Sequence, residues 1–147
     1  MKRWTLGFVF TSDFSQVLLI HKEHPESQKG KWNGLGGKYE DGETSSICIA
    51  REIEEESGLT IDPRNWRQVG KVHGTEWEMD ILTAIYPGDT KDAKTRTDET
   101  VQWFPFDSFP LDMKYNLHWL IPLCVDALKR DEIEQIDIMY TPKERWR

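Results

Sequence analysis

Alternating hydrophobic and polar residues mark out a series of strands along the chain. Apolar side chains at every second position predict a strand over Trp4–Phe10, and Val17–His21 fits as its hairpin partner across a turn at Ser12 and Asp13. The same pattern predicts further strands later in the chain. They are Gln68–His73, Trp77–Tyr86, Val101–Phe106 and a last strand through Ile136, Ile138 and Tyr140.

Two segments have the spacing of helices instead. Thr44 is a suitable N-cap for a helix that runs to about Ser57, and Gly58 is a suitable residue to end it. A second helix is predicted over Tyr115–Arg130, where Pro122 either kinks the helix or starts a new segment. Without repeats or a linker, the chain is predicted to form one α/β domain with a mixed sheet over residues 1–147.

The first helix carries a patch of acidic residues. At about 100° per residue, Glu52, Glu55 and Glu56 fall on one face, whereas Glu54 points away from them. Such neighbouring like charges destabilise an isolated helix by about 0.2–0.5 kcal/mol per pair. Arg51 can pair with Glu55 one turn away, but one arginine cannot neutralise three acids. The apolar face of the same helix is predicted to consist of Ile49, Ala50 and Ile53.

Two interpretations of the acidic patch remain open at this point. On its own, it is compatible with an ordinary solvated face of a surface helix. Hard divalent cations such as Mg²⁺ and Mn²⁺ prefer carboxylate oxygens, so the patch is also compatible with a metal site. The preceding loop contains Gly34, Gly36 and Gly37, which let the backbone approach a ligand closely and favour the second interpretation.

Charge and cysteine content narrow the class of protein. A formal net charge of −7 argues against general nucleic-acid binding, and it fits either a metal-neutralised acidic cluster or a merely soluble surface. Cys48 and Cys124 form no CxxC pair, so no disulfide framework is expected. With no signal-peptide pattern and no apolar run long enough to cross a membrane, a reducing cytoplasm is the simplest location. The oligomeric state is left open.

The segment 37–59 resembles the Nudix box, G-x5-E-x7-R-E-U-x-E-E-x-G-U, in which U is aliphatic. A chance match at one starting point is on the order of 10⁻⁹ from average residue usage. The specified positions are all filled, by Gly37, Glu43, Arg51, Glu52, Ile53, Glu55, Glu56, Gly58 and Leu59.

This resemblance implies an α/β/α sandwich and a metal-dependent hydrolase. Carried over by position, Glu52, Glu55 and Glu56 would bind Mg²⁺ or Mn²⁺, and the carbonyl of Gly36 or Gly37 would add a ligand. Hydrolysis of a phosphoanhydride needs neutralised phosphate oxygens and an activated water, and metal ions held by several carboxylates supply both.

The resemblance assigns roles outside the metal ligands as well. Glu43 and Arg51 would hold the shape of the box. The family also uses an acid from a distant loop, for which Glu99 is the candidate, with an ordinary loop acid as the alternative. Either Glu52 or Glu99 would be the general base.

The run from Lys31 to Lys38 is similar to the MutT-type enzymes that hydrolyse oxidised purine nucleoside triphosphates. In that group the asparagine reads the base, so Asn33 is the candidate specificity residue, with a simple Asn-Gly turn as the alternative. The remaining substrate-contact candidates are Lys38 for a phosphate, Thr5 and Met79 in the pocket, and the loop residue Asp98.

One departure weakens the assignment of a base. The eukaryotic enzymes of that group read the base with a Trp-Pro-Asp-Asp stretch, and the matching residues here are Lys114, Tyr115, Asn116 and Leu117. The acid pair is therefore absent. The candidates for a stacking surface in its place are Trp77, Trp103, Tyr115 and Trp119.

The leading expectation is an enzyme that hydrolyses a nucleoside triphosphate, favouring oxidised or modified purines such as 8-oxo-dGTP, to the monophosphate and pyrophosphate. The alternative is another nucleoside diphosphate derivative: a nucleotide sugar, a dinucleoside polyphosphate or a 5′-triphosphate RNA end. A non-catalytic nucleotide-binding domain is disfavoured, because all the acids of the box are present.

Overall fold

The computed structural model describes residues 1–130, 132 and 135–141. Over these residues no helix is long and apolar enough to span a membrane. The strands are β1 (Lys2–Thr11), β2 (Gln16–His21), β3 (Trp32–Asn33), β4 (Arg67–His73), β5 (Trp77–Tyr86), β6 (Val101–Pro105) and β7 (Ile136–Met139). The helices are α1 (Ser45–Ser57) and α2 (Leu117–Arg130), and short 3₁₀ turns lie at Glu26–Gln28, Pro63–Asn65 and Thr90–Asp92.

The described strands form one mixed sheet around a parallel pair. β1 and β5 run parallel along their full lengths. β4 is antiparallel to β5, and β7 is parallel to β4 at the far edge. On the other side, β2 pairs with β1 only near the hairpin, at Phe10 and Val17, and its remaining length pairs with β6 and β3. β1 and β2 are therefore free to diverge beyond the hairpin.

A glycine-rich loop fills the space where β1 and β2 diverge. β3 pairs with the end of β2, and the next residues pair with β1 through hydrogen bonds from Gly7 to Leu35 and from Thr5 to Gly37. Gly36 lies between them with a φ of 150°, and a Cβ atom there would lie 2.1 Å from the carbonyl oxygen of Thr5. Only glycine fits this position, so Gly36 allows the loop to pack directly against β1.

Helices cover both faces of the sheet, as the alternation along β1 requires. Phe8 and Phe10 are fully buried in a cluster with Leu120 and other residues of α2. Val9, between them in sequence, is buried on the other face against Ile49 of α1. The predicted α/β/α sandwich with a central mixed sheet is confirmed.

The structure also corrects parts of the sequence prediction. β3 was not predicted, because a two-residue strand has no periodic signal. The second helix is present as predicted, but it begins two residues later, at Leu117, after a turn in which the Leu117 N–H donates to the carbonyl of Lys114. Pro122 lies inside one continuous helix, on an exposed position where water can bind the carbonyl that it leaves unpaired.

Candidate active site

The ends and the rotation of α1 are set by local sequence. Oγ1 of Thr44 accepts the N–H of Ile47 at 3.3 Å, and Gly58 ends the helix at a φ of 76°. Ile49 and Ile53 are fully buried, as predicted for the apolar face. This rotation brings the acidic face of α1 against the glycine-rich loop.

Arg51 lies at the centre of the acidic patch. Its Nε and Nη2 atoms bind both carboxylate oxygens of Glu43, at 2.7 and 2.9 Å, and Nη2 also donates to the carbonyl of Lys38 at 3.0 Å. Its Nη1 atom lies 3.0 Å from Glu52 and 3.3 Å from Glu55, so the expected contact one turn away is present. The paired hydrogen bonds from Arg51 lower the pKa of Glu43 to about 2. Arg51 thus ties the turn, the glycine loop and the helix together.

Glu56 is the most deeply buried acid of the patch, with 7% of its surface exposed. One of its oxygens accepts the N–H of Gly36 at 3.0 Å. The pKa of Glu56 is raised to about 8, because burial, with a smaller repulsion from Glu52 and Glu99, outweighs the hydrogen bond from Gly36 and the attraction of Lys22. Glu56 is therefore a carboxyl group for which ionisation is costly unless a cation approaches it.

Glu52 lies directly over the glycine loop, whereas Glu55 lies at the rim. A Cβ atom on Gly37 would meet the Glu52 carboxylate at 2.5–2.7 Å, so the absence of a side chain there makes room for this acid. Burial raises the pKa of Glu52, although Arg51 opposes the shift. The Glu55 side chain is 55% exposed. The helix thus presents a graded series of carboxylates, from buried Glu56 to exposed Glu55.

The carbonyl groups of the two loop glycines have different surroundings. The carbonyl of Gly37 accepts the backbone N–H of Thr5 at 2.9 Å and also lies 3.4 Å from its hydroxyl. The Thr5 hydroxyl is buried, 3.3 Å from the Cys48 thiol, and therefore lies between the loop and α1. The Gly36 carbonyl is consequently the better placed of the two to serve as a ligand.

Glu99 joins this site from the loop before β6. It is 4% exposed, and its oxygens accept Nζ of Lys22 at 3.0 Å and the N–H groups of Glu23 and His24 at 2.7 and 3.4 Å. Burial opposes ionisation, but these hydrogen bonds outweigh it and lower the pKa of Glu99. The exposed side chain of Asp98 makes none of these contacts with Lys22 or Glu23, and it lies 3.5 Å from Nε2 of His24.

The donors of this cluster fit a hard divalent cation. All are carboxylate or carbonyl oxygens, and Glu56 is destabilised electrostatically by both Glu52 and Glu99, which a cation would relieve. Within the described part of the chain, no three acidic, histidine or cysteine side chains stand in ready coordination geometry. Two of the acids are engaged in ion pairs instead: Glu52 pairs with Arg51, and Glu99 pairs with Lys22. Cation binding therefore requires these side chains to exchange partners.

A cavity of about 390 Å³ opens beside the cluster, and Gly36 and Gly37 form part of its wall. Its volume suits a nucleobase with its sugar. Asp98 is not among the residues that line it. The other predicted substrate contacts do line it: Thr5, Asn33, Lys38 and Met79.

The backbone of Asn33 belongs to β3 and is not part of a simple Asn-Gly turn, the alternative considered for this residue. Its side chain is buried, with Oδ1 accepting the Gly34 N–H at 2.8 Å and Nδ2 donating to Gln28 at 3.3 Å. Each of these groups retains hydrogen-bonding capacity toward the cavity, since an amide oxygen accepts two bonds and an amide nitrogen donates two. Its role as a base reader remains a prediction.

Aromatic side chains form one wall of the cavity. Trp77 lines it together with Trp4 and Tyr140, and Trp77 meets Tyr140 edge to face at 5.8 Å. The other three stacking candidates do not line it. Tyr115 is 82% exposed, and Trp103 packs on the α1 side of the sheet. Trp119, a residue of α2, packs against the core on the opposite side.

The sequence analysis missed several polar residues of this site, among them Lys22, Gln28, Lys114 and Asn116. Lys22 lines the cavity and binds Glu99, and Lys114 and Asn116 line the cavity next to β3. The position of Lys22 immediately after β2 could have indicated a place near the glycine loop. Lys114 and Asn116 entered only as departures from a family pattern, and no local spacing marks them as pocket residues.

Comparison with known proteins identifies the family. The model of the NUDIX domain matches residues 1–122. The chain is 34% identical over 92 residues to an oxidized purine nucleoside triphosphate hydrolase of Danio rerio, covering 58% of this chain and 56% of the relative. It is 32% identical over 109 residues to the human 8-oxo-dGDP phosphatase NUDT18, covering 72% of this chain and 33% of the relative.

The chain thus spans about half, or less, of the length of these curated relatives. Among solved structures, the mutator MutT protein of Bacillus halodurans is similar, with a TM-score of 0.69 and 26% identity over 97% of this chain and 92% of that one. The family match covers most of the chain and includes β1, the glycine loop, α1 and the loop that carries Glu99. The chain belongs to the Nudix family.

Proposed function

We propose that the chain is a Mg²⁺-dependent nucleoside triphosphate diphosphohydrolase, with Mn²⁺ as a substitute, that favours oxidised or otherwise modified purines. The observation that carries this proposal is the placement of three buried or half-buried acids, Glu52, Glu56 and Glu99, beside a glycine loop that walls a cavity of about 390 Å³. The activities for which the two curated relatives are named support the choice of oxidised purines.

The residues that would hold the cation are Glu52, Glu55, Glu56 and Glu99, with the Gly36 carbonyl as a further ligand. When bound, the cation neutralises charge on the phosphate oxygens and acidifies the attacking water. Lys38, exposed at the cavity edge, would contact a phosphate. Water then adds to one phosphorus of the anhydride while the bridging oxygen leaves with the other, giving the nucleoside monophosphate and pyrophosphate.

Between the two candidate general bases, the electrostatics favour Glu52. A carboxylate accepts a proton better when its pKa is raised toward the working pH. Burial raises the pKa of Glu52, whereas hydrogen bonds from Glu23 and Lys22 lower that of Glu99 despite its burial. Glu52 would take the proton of the attacking water, and Glu99 would stay ionised.

The cavity would hold the base and sugar. Its wall offers the Trp77 ring for stacking, the Met79 side chain for apolar contact and the Asn33 amide for hydrogen bonds. The glycines at the cavity wall bring the phosphates of the same nucleotide next to the carboxylates. In this proposal, the cavity provides selectivity, and α1 and Glu99 provide the chemistry.

A substrate panel tests the proposal. Pyrophosphate and monophosphate release are measured with Mg²⁺ for normal and oxidised purine triphosphates, nucleotide sugars, dinucleoside polyphosphates and 5′-triphosphate RNA. We expect the highest kcat/KM for an oxidised or modified purine triphosphate. If kcat/KM is higher for one of the other classes, that class is the substrate. If none of the compounds is turned over, the enzymatic function is refuted.

Gly37→Ala is expected to lower kcat by about tenfold or more with little change in Tm. The new Cβ would lie 2.5 Å from the Glu52 carboxylate, which is the movable end of its side chain and would be pushed aside. Activity and thermal unfolding are measured on the same samples. The control is Glu52→Gln: adding Gly37→Ala to it should cost little more, because both changes act on one carboxylate. Additive losses would contradict this account.

A further inference from the structure

A buried acid outside the acidic patch lies on the α1 face of the sheet. Asp80 of β5 is 2% exposed, and it is not among the residues that line the cavity. Its neighbour Met79 does line the cavity. Side chains alternate along a strand, so Asp80 points to the opposite face, where Leu82 is buried against α1. Asp80 therefore does not face a nucleotide in the cavity.

Three donors surround the Asp80 carboxylate. Its Oδ1 atom accepts Nε2 of Gln68 at 2.9 Å, and its Oδ2 atom accepts the hydroxyl of Tyr39. Nη2 of Arg3 lies 3.5 Å from the same Oδ2 atom. Burial and the bond to Asp80 raise the pKa of Tyr39, so its hydroxyl stays protonated and continues to donate. A buried carboxylate with hydrogen bonds and a positive partner is satisfied, so Asp80 differs from Glu56 in needing no cation.

The bond from Tyr39 holds the end of the glycine loop on the sheet. Tyr39 comes directly after Gly37 and Lys38 in sequence. Its backbone N–H donates to the carbonyl of Arg3 at 3.3 Å, and the guanidinium of Arg3 lies 4.2 Å from the centre of its ring. The backbone of Lys38 pairs with Trp4 of β1. These contacts fix the point at which the loop leaves β1.

Asp80 is also linked to the start of α1. The Gln68 side chain, which donates to Asp80, accepts the hydroxyl of Ser45 at 2.9 Å through its Oε1 atom. Ser45 is the first residue of α1, and only residues 40–44 separate it from Tyr39. Both ends of this short connection are thus tied to one acid of the sheet.

The side chain of Lys38 depends on this arrangement. It is exposed at the edge of the cavity, and it forms no ion pair with any residue that the structure describes. Its backbone carbonyl accepts Nη2 of Arg51 at 3.0 Å. The direction of the Lys38 side chain is therefore set by the backbone of residues 37–39, which Asp80 anchors through Tyr39.

We propose that Asp80 and Tyr39 are positioning residues for the hydrolysis, and that their hydrogen bond fixes the backbone at Lys38 so that its ammonium group meets a phosphate of the nucleotide. Neither residue contacts the substrate. This inference rests on the proposed function and adds residues that act on it from the opposite face of the sheet. A displacement of about 1 Å in a group that binds the substrate can lower the rate by about a hundredfold, so the anchoring has a measurable effect.

Tyr39→Phe tests the inference, because it removes the hydroxyl and keeps the ring. The measured quantity is kcat/KM with Mg²⁺ for the nucleoside triphosphate that is hydrolysed best, in the wild type and in a Lys38→Met background. We expect Tyr39→Phe to lower kcat/KM by about tenfold in the wild type and by less than about twofold in Lys38→Met. Equal losses in the two backgrounds would overturn the inference, because the hydroxyl would then act independently of Lys38. Melting curves set an assay temperature at which every variant is folded.

Tyr86→Phe is the matched control. The Tyr86 hydroxyl also donates to an aspartate, Asp92, but neither residue lines the cavity. This variant should keep kcat/KM within about twofold in both backgrounds.

Two substitutions of Asp80 test the hydrogen bond from its other side. Asparagine retains an oxygen that can accept the Tyr39 hydroxyl, and the Gln68 amide can reverse to accept the new N–H. Asp80→Asn should therefore keep most of kcat/KM, whereas Asp80→Leu should match Tyr39→Phe. An equal loss in both variants of Asp80 would overturn the role of this hydrogen bond, and the Tyr39→Phe comparison decides alone if Asp80→Leu does not fold.

Equilibrium binding separates this inference from the proposed function. The probe is a purine nucleoside triphosphate with a methylene group in place of the α,β-bridging oxygen, and its Kd is measured by calorimetry with Mg²⁺. If no substrate is turned over but Tyr39→Phe weakens binding only when Lys38 is present, the enzymatic function alone is refuted. If turnover is normal and the losses are independent of Lys38, the positioning role alone is refuted. A protein that neither binds nor hydrolyses these nucleotides would refute both.

Discussion

Replacing Glu56 by glutamine is expected to abolish most turnover and, at the same time, to stabilise the fold. The change removes one proposed cation ligand, so kcat should fall by about a hundredfold or more. Glutamine keeps an oxygen that can accept the Gly36 N–H, which lies 3.0 Å from the carboxylate in the wild type. It also removes a group that is buried among acids and is costly to ionise.

The stability effect has a definite dependence on pH. Burial raises the pKa of Glu56 from 4.5 to about 8, so the folded protein holds this proton more tightly than the unfolded chain. Its favourable contribution is complete below about pH 4.5 and is lost as the pH rises through about 8. At about 1.4 kcal/mol per pKa unit, the loss by pH 7 is about 3 kcal/mol. Glu56→Gln should therefore gain about 1–3 kcal/mol over the wild type at pH 7 and little at pH 4.

Denaturant unfolding in chelator at pH 4, 5.5 and 7 measures this gain. Glu54→Gln is the matched control, because Glu54 lies on the same helix but is exposed and points away from the cluster. It should change neither kcat nor the free energy of unfolding by much. Added Mg²⁺ should stabilise the wild type more than Glu56→Gln. A variant of Glu56 that is both active and less stable would exclude this residue from the cation site.

The local part of the site could be predicted because it depends on spacing along one helix. The positions of Glu52, Glu55 and Glu56 on one face of α1, and the contact of Arg51 with Glu55, follow from helical geometry. Their different degrees of burial do not, because burial depends on the loop that packs on each acid. Gly36 covers Glu56, whereas the Glu55 side chain is 55% exposed. The sequence patterns therefore predicted three equivalent carboxylates, whereas the fold buries them to different degrees.

Contacts between distant segments limited the prediction further. β3 forms because the glycine loop packs into the gap between β1 and β2. This packing depends on pairing of the loop with Ile20 and His21, more than ten residues earlier. The position of Lys114 in the cavity depends on the same strand, through its bond to Trp32. The fold class was accessible because the longer strands and both helices have their own periodicity. The end of the cavity near Lys114 was not accessible, because it forms from short segments that have no periodicity of their own.

Arg51→Met is expected to cost about 1.5–3 kcal/mol of folding free energy, the typical contribution of hydrogen bonds to a charged group. The Glu43 side chain is 10% exposed, and its two oxygens would lose both of their hydrogen bonds to Arg51. Glu52 would lose its contact with Nη1 as well. Methionine retains the apolar stem of the arginine, so the loss reports mainly on charge and hydrogen bonding.

The double variant Arg51→Met with Glu43→Gln tests this explanation. It should recover a large part of the lost stability, because no ionised group is then left without its partner at position 43.

A pH series gives a second measure. The hydrogen bonds from Arg51 lower the pKa of Glu43 from 4.5 to about 2, so the wild type keeps this contribution above about pH 4.5 and loses it as the pH falls through about 2. The stability difference between wild type and Arg51→Met should therefore narrow over that interval. If the difference stays constant with pH and the double variant recovers nothing, Arg51 stabilises the helix through packing alone, and its ion pair with Glu43 contributes no net stability.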